Sequence, residues 1–315
     1  MSSAAPELAT DTTAKANALV AFAADHVTKT FGKHTALADV SLTIPAGHVV
    51  GLLGRNGAGK TTLLHLASSL VLPTSGACHT LGRRSDELDS PELTRLGLVM
   101  QESKFIEWMT VAQHLDFTGS FYPAWDRDLQ QRLVDTLEVP LKRKIADLST
   151  GDRQKVGILL GVCHRPALLL LDEPMSSLDP IARAHMLDVL LERLRDDGCT
   201  IVISSHLLDD VEKVVDWIIA LDAGRITENA SLDELQESFA EWTVTAAASE
   251  LPARFSEPFI LAQQTRERTA RLTVRTREPG AAEAFAAAHG VQVDARPLNL
   301  GEMFPLLLNR APAVR

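Results

Sequence analysis

Gly54-Arg55-Asn56-Gly57-Ala58-Gly59-Lys60-Thr61 fits the pattern GxxxxGK[ST] and follows a short apolar run, His48–Leu53. After it, Leu63, Leu66, Ala67 and Leu70 fall at the i, i+3, i+4 and i+7 spacing of one helix face, so Thr62–Leu70 reads as a helix. The chemistry explains the residue types. Glycines let backbone N–H groups converge on phosphate oxygens with no Cβ in the way. A helix opening near Lys60 and Thr62 points the positive end of its dipole at the same anions. Lys60 supplies a cation for β and γ phosphates, and the Thr61 hydroxyl is a ligand for Mg²⁺.

A strand, a glycine loop and a helix make one half of a nucleotide site; the other half needs acids. Ala167–Leu171 is a continuous apolar run that ends in Asp172-Glu173-Pro174. A run of this kind reads as a parallel strand buried on both faces, and its C-terminal edge is where ligands bind in open α/β sheets. Asp172 is placed to hold Mg²⁺, and Glu173 to act as general base on an attacking water. Thr200–Ser204 reads as a neighbouring strand that delivers His206 toward a γ-phosphate. Gln101, at the end of the Leu96–Met100 run, is placed to position water or Mg²⁺. These residues together predict ATP binding and hydrolysis.

Composition narrows the alternatives. Hydrophobic residues make up 45% of 315, enough for a large core, and the formal charge of −10 argues against nucleic acid as a partner. Cys78, Cys163 and Cys199 form no CxxC pair, which argues against a zinc site or a disulfide framework and suits a reducing cytoplasm. No apolar run reaches the roughly 18–20 residues of a membrane helix. Residues 1–17 read as a flexible extension, and 18–235 as one α/β domain with a helical insertion at about 105–165. In that insertion Thr110-Val-Ala-Gln113 has the form of a capping box. Asp126 is placed to cap a helix with Leu129, Leu133 and Leu137 on one face. Asp222-Ala-Gly-Arg225 reads as a hairpin turn. Residues 240–315 read as a small α+β accessory domain: Trp242–Ala246, Arg271–Thr276 and Val291–Ala295 as strands, and Ala281–His289 as a helix closed by Gly290.

Taken in order, the motifs over residues 19–232 resemble those of the nucleotide-binding subunit of an ABC transporter. Phe31 matches the aromatic position that stacks on adenine, the phosphate loop follows, and Gln101 stands at the Q-loop. Leu148-Ser149-Thr150-Gly151-Asp152-Arg153-Gln154 matches the signature motif, Asp172 and Glu173 the Walker B end, Ser177-Leu178-Asp179 the D-loop, and His206 the switch histidine. The resemblance implies an α/β fold: a P-loop NTPase core with a mainly parallel sheet, an antiparallel β subdomain and a helical insertion. It implies that Ser149 and Gly151 close over ATP held by a second cassette, in a homodimer or a heterodimer. It also implies a separately encoded transmembrane permease that holds the cassette on the inner face of the membrane. The single cassette, the short appendage, the closing Leu298–Phe304 segment and the Phe121–Asp126 aromatic segment resemble exporter ATPases of the drug and antibiotic type.

Two positions depart from the pattern: Thr150 and Asp152 stand where Gly and Gln are usual. Asp152 adds negative charge near a polyphosphate unless it points away or pairs with a base such as Arg153. The alternative reading is a soluble ABC-type ATPase of translation or DNA repair, which the absence of a second cassette or long coiled-coil insertion argues against.

Overall fold

The computed structural model describes residues 20–206, 208–246 and 250–308, without the side chains of 194–196. The extension read at 1–17 lies outside the described residues. The chain divides into two compact units between Asn229 and Ala230.

The first unit holds two sheets. β1 (Val20–Phe31) and β2 (His34–Pro45) form a long antiparallel pair, extended by β4 (Ser75–Thr80) and β5 (Arg83–Arg84) in the order β2-β1-β4-β5. In β2 the alternation is direct: Val40, Leu42 and Ile44 are buried while Ser41 and Thr43 are exposed, the period of a strand with one wet face. The second sheet combines β3 (Val49–Gly54), β6 (Leu96–Val99), β7 (Leu168–Asp172), β8 (Thr200–Ser204), β9 (Trp217–Asp222) and β10 (Arg225–Ser231), in the order β10-β9-β3-β8-β7-β6. The pairings from β9 through β6 are parallel. Every residue of β3, β7 and β8 is buried, which is why these segments read as apolar runs and not as alternations. Each fully covered leucine of Leu168–Leu171 contributes about 1.5–3 kcal/mol.

Register then decides where the chemistry emerges. Leu52 of β3 and Asp172 of β7 both pair with Ser204 of β8, so the three strands end at one edge. β9 and β10 are joined through Ala223 and Gly224, both with positive φ (45° and 76°), the backbone of a type I′ hairpin at the expected Asp222–Arg225 turn.

Helix α1 (Lys60–Ala67) follows the glycine loop but stops short of its predicted end. Ser69 has φ 60° and Leu70 is exposed, so the i+7 apolar residue lies beyond the helix and off its buried face. A four-residue helix, α2 (Ser90–Leu93), precedes β6. The helical insertion contains α3 (Val111–Gly119), α4 (Arg127–Thr136) and α5 (Thr150–Val162). Thr110 accepts the Gln113 N–H at 3.3 Å while Gln113 accepts the Thr110 N–H at 2.9 Å, so the capping box is formed. Asp126 accepts the Leu129 N–H at 2.9 Å, and Leu129, Leu133 and Leu137 are buried. In the aromatic segment, Tyr122 lies over His164 with ring centroids 4.3 Å apart and Trp125 donates to Gln130 at 2.7 Å. Phe121 is left 63% exposed. α6 (Pro180–Asp197) and α7 (Leu208–Val211) complete the unit.

The second unit is α+β. It contains α8 (Leu232–Ser238), β11 (Phe239–Ala246), β12 (Ile260–Arg266), β13 (Thr269–Arg275), α9 (Ala281–His289), β14 (Val291–Pro297) and α10 (Leu300–Leu308). The antiparallel order is β12-β13-β11-β14. Leu272 and Val274 face a core with Trp242, Phe255 and Phe285. Gly290, at φ 65°, closes α9. Strand β12 and the helical form of the Leu298–Phe304 region are not legible from the sequence.

Candidate functional site

The phosphate loop is shaped by what lies behind it. A Cβ on Gly54 would come within 2.4 Å of the Leu221 carbonyl oxygen, so only glycine lets the chain leave β3 alongside β9. Gly59 has φ 109°, and a Cβ there would meet the Ala36 carbonyl oxygen at 2.6 Å. The β9–β10 turn buttresses the same loop: Gly224 donates its N–H to the Ala58 carbonyl at 3.0 Å and accepts the Ala38 N–H at 2.9 Å. Lys60 opens α1 and is buried; its Nζ donates to the carbonyls of Gly54 at 2.9 Å and Arg55 at 3.4 Å. An ammonium has three protons, so one is left for an incoming anion.

Opposite the loop, Asp172 and Glu173 are both buried. Asp172 accepts the Thr61 hydroxyl at 2.6 Å on one oxygen and the Ser204 hydroxyl at 2.6 Å on the other. The Glu173 carboxylate is 2.7 Å from His206 Nδ1, and its backbone N–H donates to Ser204 Oγ at 3.0 Å. Glu173 holds φ 49°, a left-handed conformation that costs a non-glycine residue about 1–3 kcal/mol. Parallel pairing of β7 with β8 brings the two acids, Ser204 and His206 together.

These groups line one cavity of about 420 Å³. Of the residues read from the sequence, Phe31, Asn56, Gly57, Gly59, Lys60, Thr61, Thr62, Gln101, Asp172, Glu173 and His206 line it. Gly54, Arg55 and Ala58 form the loop behind, and Ser149 and Gly151 lie outside the lining. Phe31 is 48% exposed at the cavity rim, with Lys29 Nζ 4.9 Å from its ring centroid. His34 and Ala36 also line the cavity, and Ser204 underpins it through Asp172 and Glu173; no sequence pattern points to any of the three. A serine at a strand end gives no periodic signal, and His34 enters only because it pairs with Phe31 across the β1–β2 hairpin.

The donor set suits a hard cation. Thr61, Asp172 and Gln101 offer oxygen ligands in one cavity. Among the described residues no cluster of three or more His, Cys, Asp or Glu could hold a metal by itself. A Mg²⁺ held here would therefore complete its shell with phosphate and water, as this ion commonly does.

The signature segment caps α5. Ser149 Oγ accepts the Asp152 N–H at 3.1 Å and donates to Asp152 Oδ2 at 2.8 Å. Arg153 does not pair with Asp152. It donates to Glu107 at 3.0 Å and stacks on Phe105, whereas the cation near Asp152 is Arg143, at 3.8 Å. Helical geometry explains this, because adjacent residues on a helix point apart. A Cβ on Gly151 would lie 2.9 Å from the Ser177 carbonyl oxygen, so the signature abuts the Ser177–Asp179 turn. Asp179 accepts the N–H groups of Ala182 and Ile181, which hold its carboxyl below the ordinary range.

Residues 37–176 match the family model described as ABC transporter. The bacitracin transport ATP-binding protein BcrA of Enterococcus faecalis is 30% identical over 70% of this chain and 72% of its own length. The chain belongs to the ABC transporter ATP-binding family. The methionine import ATP-binding protein MetN of Caulobacter vibrioides is 35% identical over 66% of each chain. Among solved structures, the dimeric ATP-binding cassette MJ0796 in a post-hydrolysis state with ADP and Pi is 25% identical, with a TM-score of 0.60 over 67% of this chain and 98% of that one. The ABC cassette is accordingly an ATP-binding, ATP-hydrolysing subunit with the α/β fold its motifs predicted. Among the described residues, no helix is long and apolar enough to cross a membrane.

Proposed function

We propose that this cassette powers a separately encoded transmembrane permease and that the pair works as an exporter. The observation that carries the catalytic reading is the convergence of the phosphate loop, the Thr61–Asp172–Ser204 network and the Glu173–His206 pair on one cavity. In this reading Phe31 stacks on adenine, the Gly54–Thr61 loop with Thr62 grips the phosphates, and Lys60 faces the β/γ bridge. Thr61, Asp172 and Gln101 would hold Mg²⁺, which would supply charge neutralisation on the phosphates. Glu173 accepts a proton from the attacking water, and His206, already beside that carboxylate, fixes its orientation and donates toward the γ-phosphate. Ser149 and Gly151 serve the nucleotide of a second cassette.

One relative, MetN, is named for import. Export is supported by likeness to BcrA, which is named for bacitracin transport. The permease is supported by exposed apolar groups on the helical insertion and near the Q-loop: Trp108 at 69%, Phe121 at 63% and Phe117 at 44%. Such a partner would hold the cassette on the inner membrane face.

Affinity purification from detergent-solubilised cells should bring down a hydrophobic integral membrane protein. Ribosomes or DNA in its place would overturn the transporter reading. Inside-out vesicles with the purified pair should accumulate substrate on adding ATP, and efflux from those vesicles would overturn export.

A further inference from the structure

In the reading above, the signature begins a helix whose N-terminal N–H groups and capping serine, Ser149, face a second copy's phosphates, as helix N-termini suit anions. Here both functions of that serine are taken by one residue. Ser149 has a single hydroxyl proton, and it goes to Asp152 Oδ2 at 2.8 Å; its oxygen also accepts the Asp152 N–H at 3.1 Å. Asp152 is the third residue of α5, within the first turn, where a carboxylate complements the positive end of the helix dipole. The attraction that a partner's γ-phosphate would feel there is already satisfied internally. A polyphosphate brought to this end meets a fixed negative charge. The nearest cation is Arg143, which donates to the Asp147 carbonyl and holds Nη1 at 3.8 Å from Asp152 with its side chain 53% exposed.

We propose that Asp152 is a positioning residue acting as a brake on the signature: it withholds the Ser149 hydroxyl from a second copy's ATP, and Arg143 sets the strength of the brake by neutralising it. This rests on the reading above that Ser149 faces a partner's nucleotide. When Arg143 closes on the carboxylate, the charge facing the incoming phosphates falls and Ser149 becomes free to turn. The partner is a second copy of this chain, and the controlled quantity is the ATP concentration at which two copies close.

The test uses the full chain with Glu173→Gln, so that hydrolysis does not reopen the pair, and measures the ATP needed for half-maximal dimerisation by light scattering after gel filtration. Adding Asp152→Gln should lower that concentration by about tenfold or more, the scale of freeing one hydrogen bond to a charged group. Asp152→Asn removes the charge but, being the same length, keeps an acceptor where Ser149 already finds one, and should lower it by less. Arg143→Ala should raise it, and the rise should vanish when Asp152→Gln is also present. A merely structural Asp152 predicts no such fall, because losing its bond to Ser149 weakens the first turn of the helix and should not ease closure. Equal ATP dependence with and without Asp152→Gln overturns the brake. A rise from Arg143→Ala that persists beside Asp152→Gln overturns the link between the two residues, since Arg143 would then act on phosphate directly. If both the Glu173→Gln chain and its Asp152→Gln derivative bind ATP yet stay monomeric, the two-copy reading itself fails, and the brake with it.

Discussion

Replacing Ser204 by alanine isolates what the buried support of the two acids is worth. Ser204 is fully buried, its hydroxyl donates to Asp172 at 2.6 Å, and the same oxygen accepts the Glu173 N–H at 3.0 Å. The Glu173 N–H keeps the Ser204 carbonyl at 3.1 Å as a second acceptor, so the loss falls on Asp172. One oxygen of a buried carboxylate then has no donor, a cost of about 1.5–3 kcal/mol for a hydrogen bond to a charged group. A missing hydroxyl oxygen leaves too little room for a replacing water. For a unit of this size each kcal/mol corresponds to about 2–4 °C, so the melting transition of the cassette unit should fall by roughly 3–12 °C. The assay is a thermal melt without nucleotide or Mg²⁺, because either would restore stability by binding the native state. ATP turnover should fall as well, through misplacement of Asp172, but less than for loss of Glu173. A variant that melts within about 1 °C of the parent would show that the hydroxyl is not a supporting donor, and the geometry argued from it would be wrong.

Glu173→Gln should bind ATP with little change and hydrolyse it at least about 100-fold more slowly, the scale of one general base; turnover at the parent rate would remove Glu173 from that role. Lys60→Ala should bind a fluorescent ATP analogue far more weakly, and unchanged affinity would count against the phosphate loop. Burial pushes the imidazoles of His114 and His164 below the ordinary histidine range. Both stay neutral in the fold while the unfolded chain takes up protons, so stability should fall as the pH drops below about 6.5. Urea midpoints at pH 7.5 and pH 5 report this, and a higher midpoint at pH 5 would contradict it. Burial also raises Cys78 to about 11 and Cys163 and Cys199 to about 12. No thiol should react quickly with a disulfide reagent at pH 8 until the chain unfolds, and a fast-reacting thiol in native protein would refute that burial.

The parts of the molecule that could be read in advance are those where one residue type has one physical use. Gly54, Gly59 and Lys60 stand where backbone curvature and a cation are needed, and Asp172 and Glu173 break a run of leucines with charge. Gly290 closes its helix because it alone tolerates that backbone without strain. Other features depend on neighbours that are far away in the chain. Ser204 matters because β8 lies against β7, which no local pattern near residue 204 reveals. Leu70 has the right spacing for a helix face, yet the backbone at Ser69 turns left-handed and ends the pattern. Adjacency offers Arg153 as one base that could pair with Asp152, whereas the helix sends Arg153 to Glu107 and leaves Asp152 with Ser149 and Arg143.

The hairpin turn at Ala223–Gly224 lies 166 positions beyond Ala58, yet Gly224 is hydrogen-bonded to the back of the phosphate loop. Exposed hairpin turns are ordinarily where a protein accepts an inserted tag or a proteolytic nick, but Gly224 in this one is buried. Here the turn is a keystone, and an insertion between these two residues would be felt as lost grip on phosphate. Reciprocity follows from the same bond: whatever rigidifies the loop must also slow amide exchange at Gly224, so nucleotide occupancy becomes readable from a turn far along the chain.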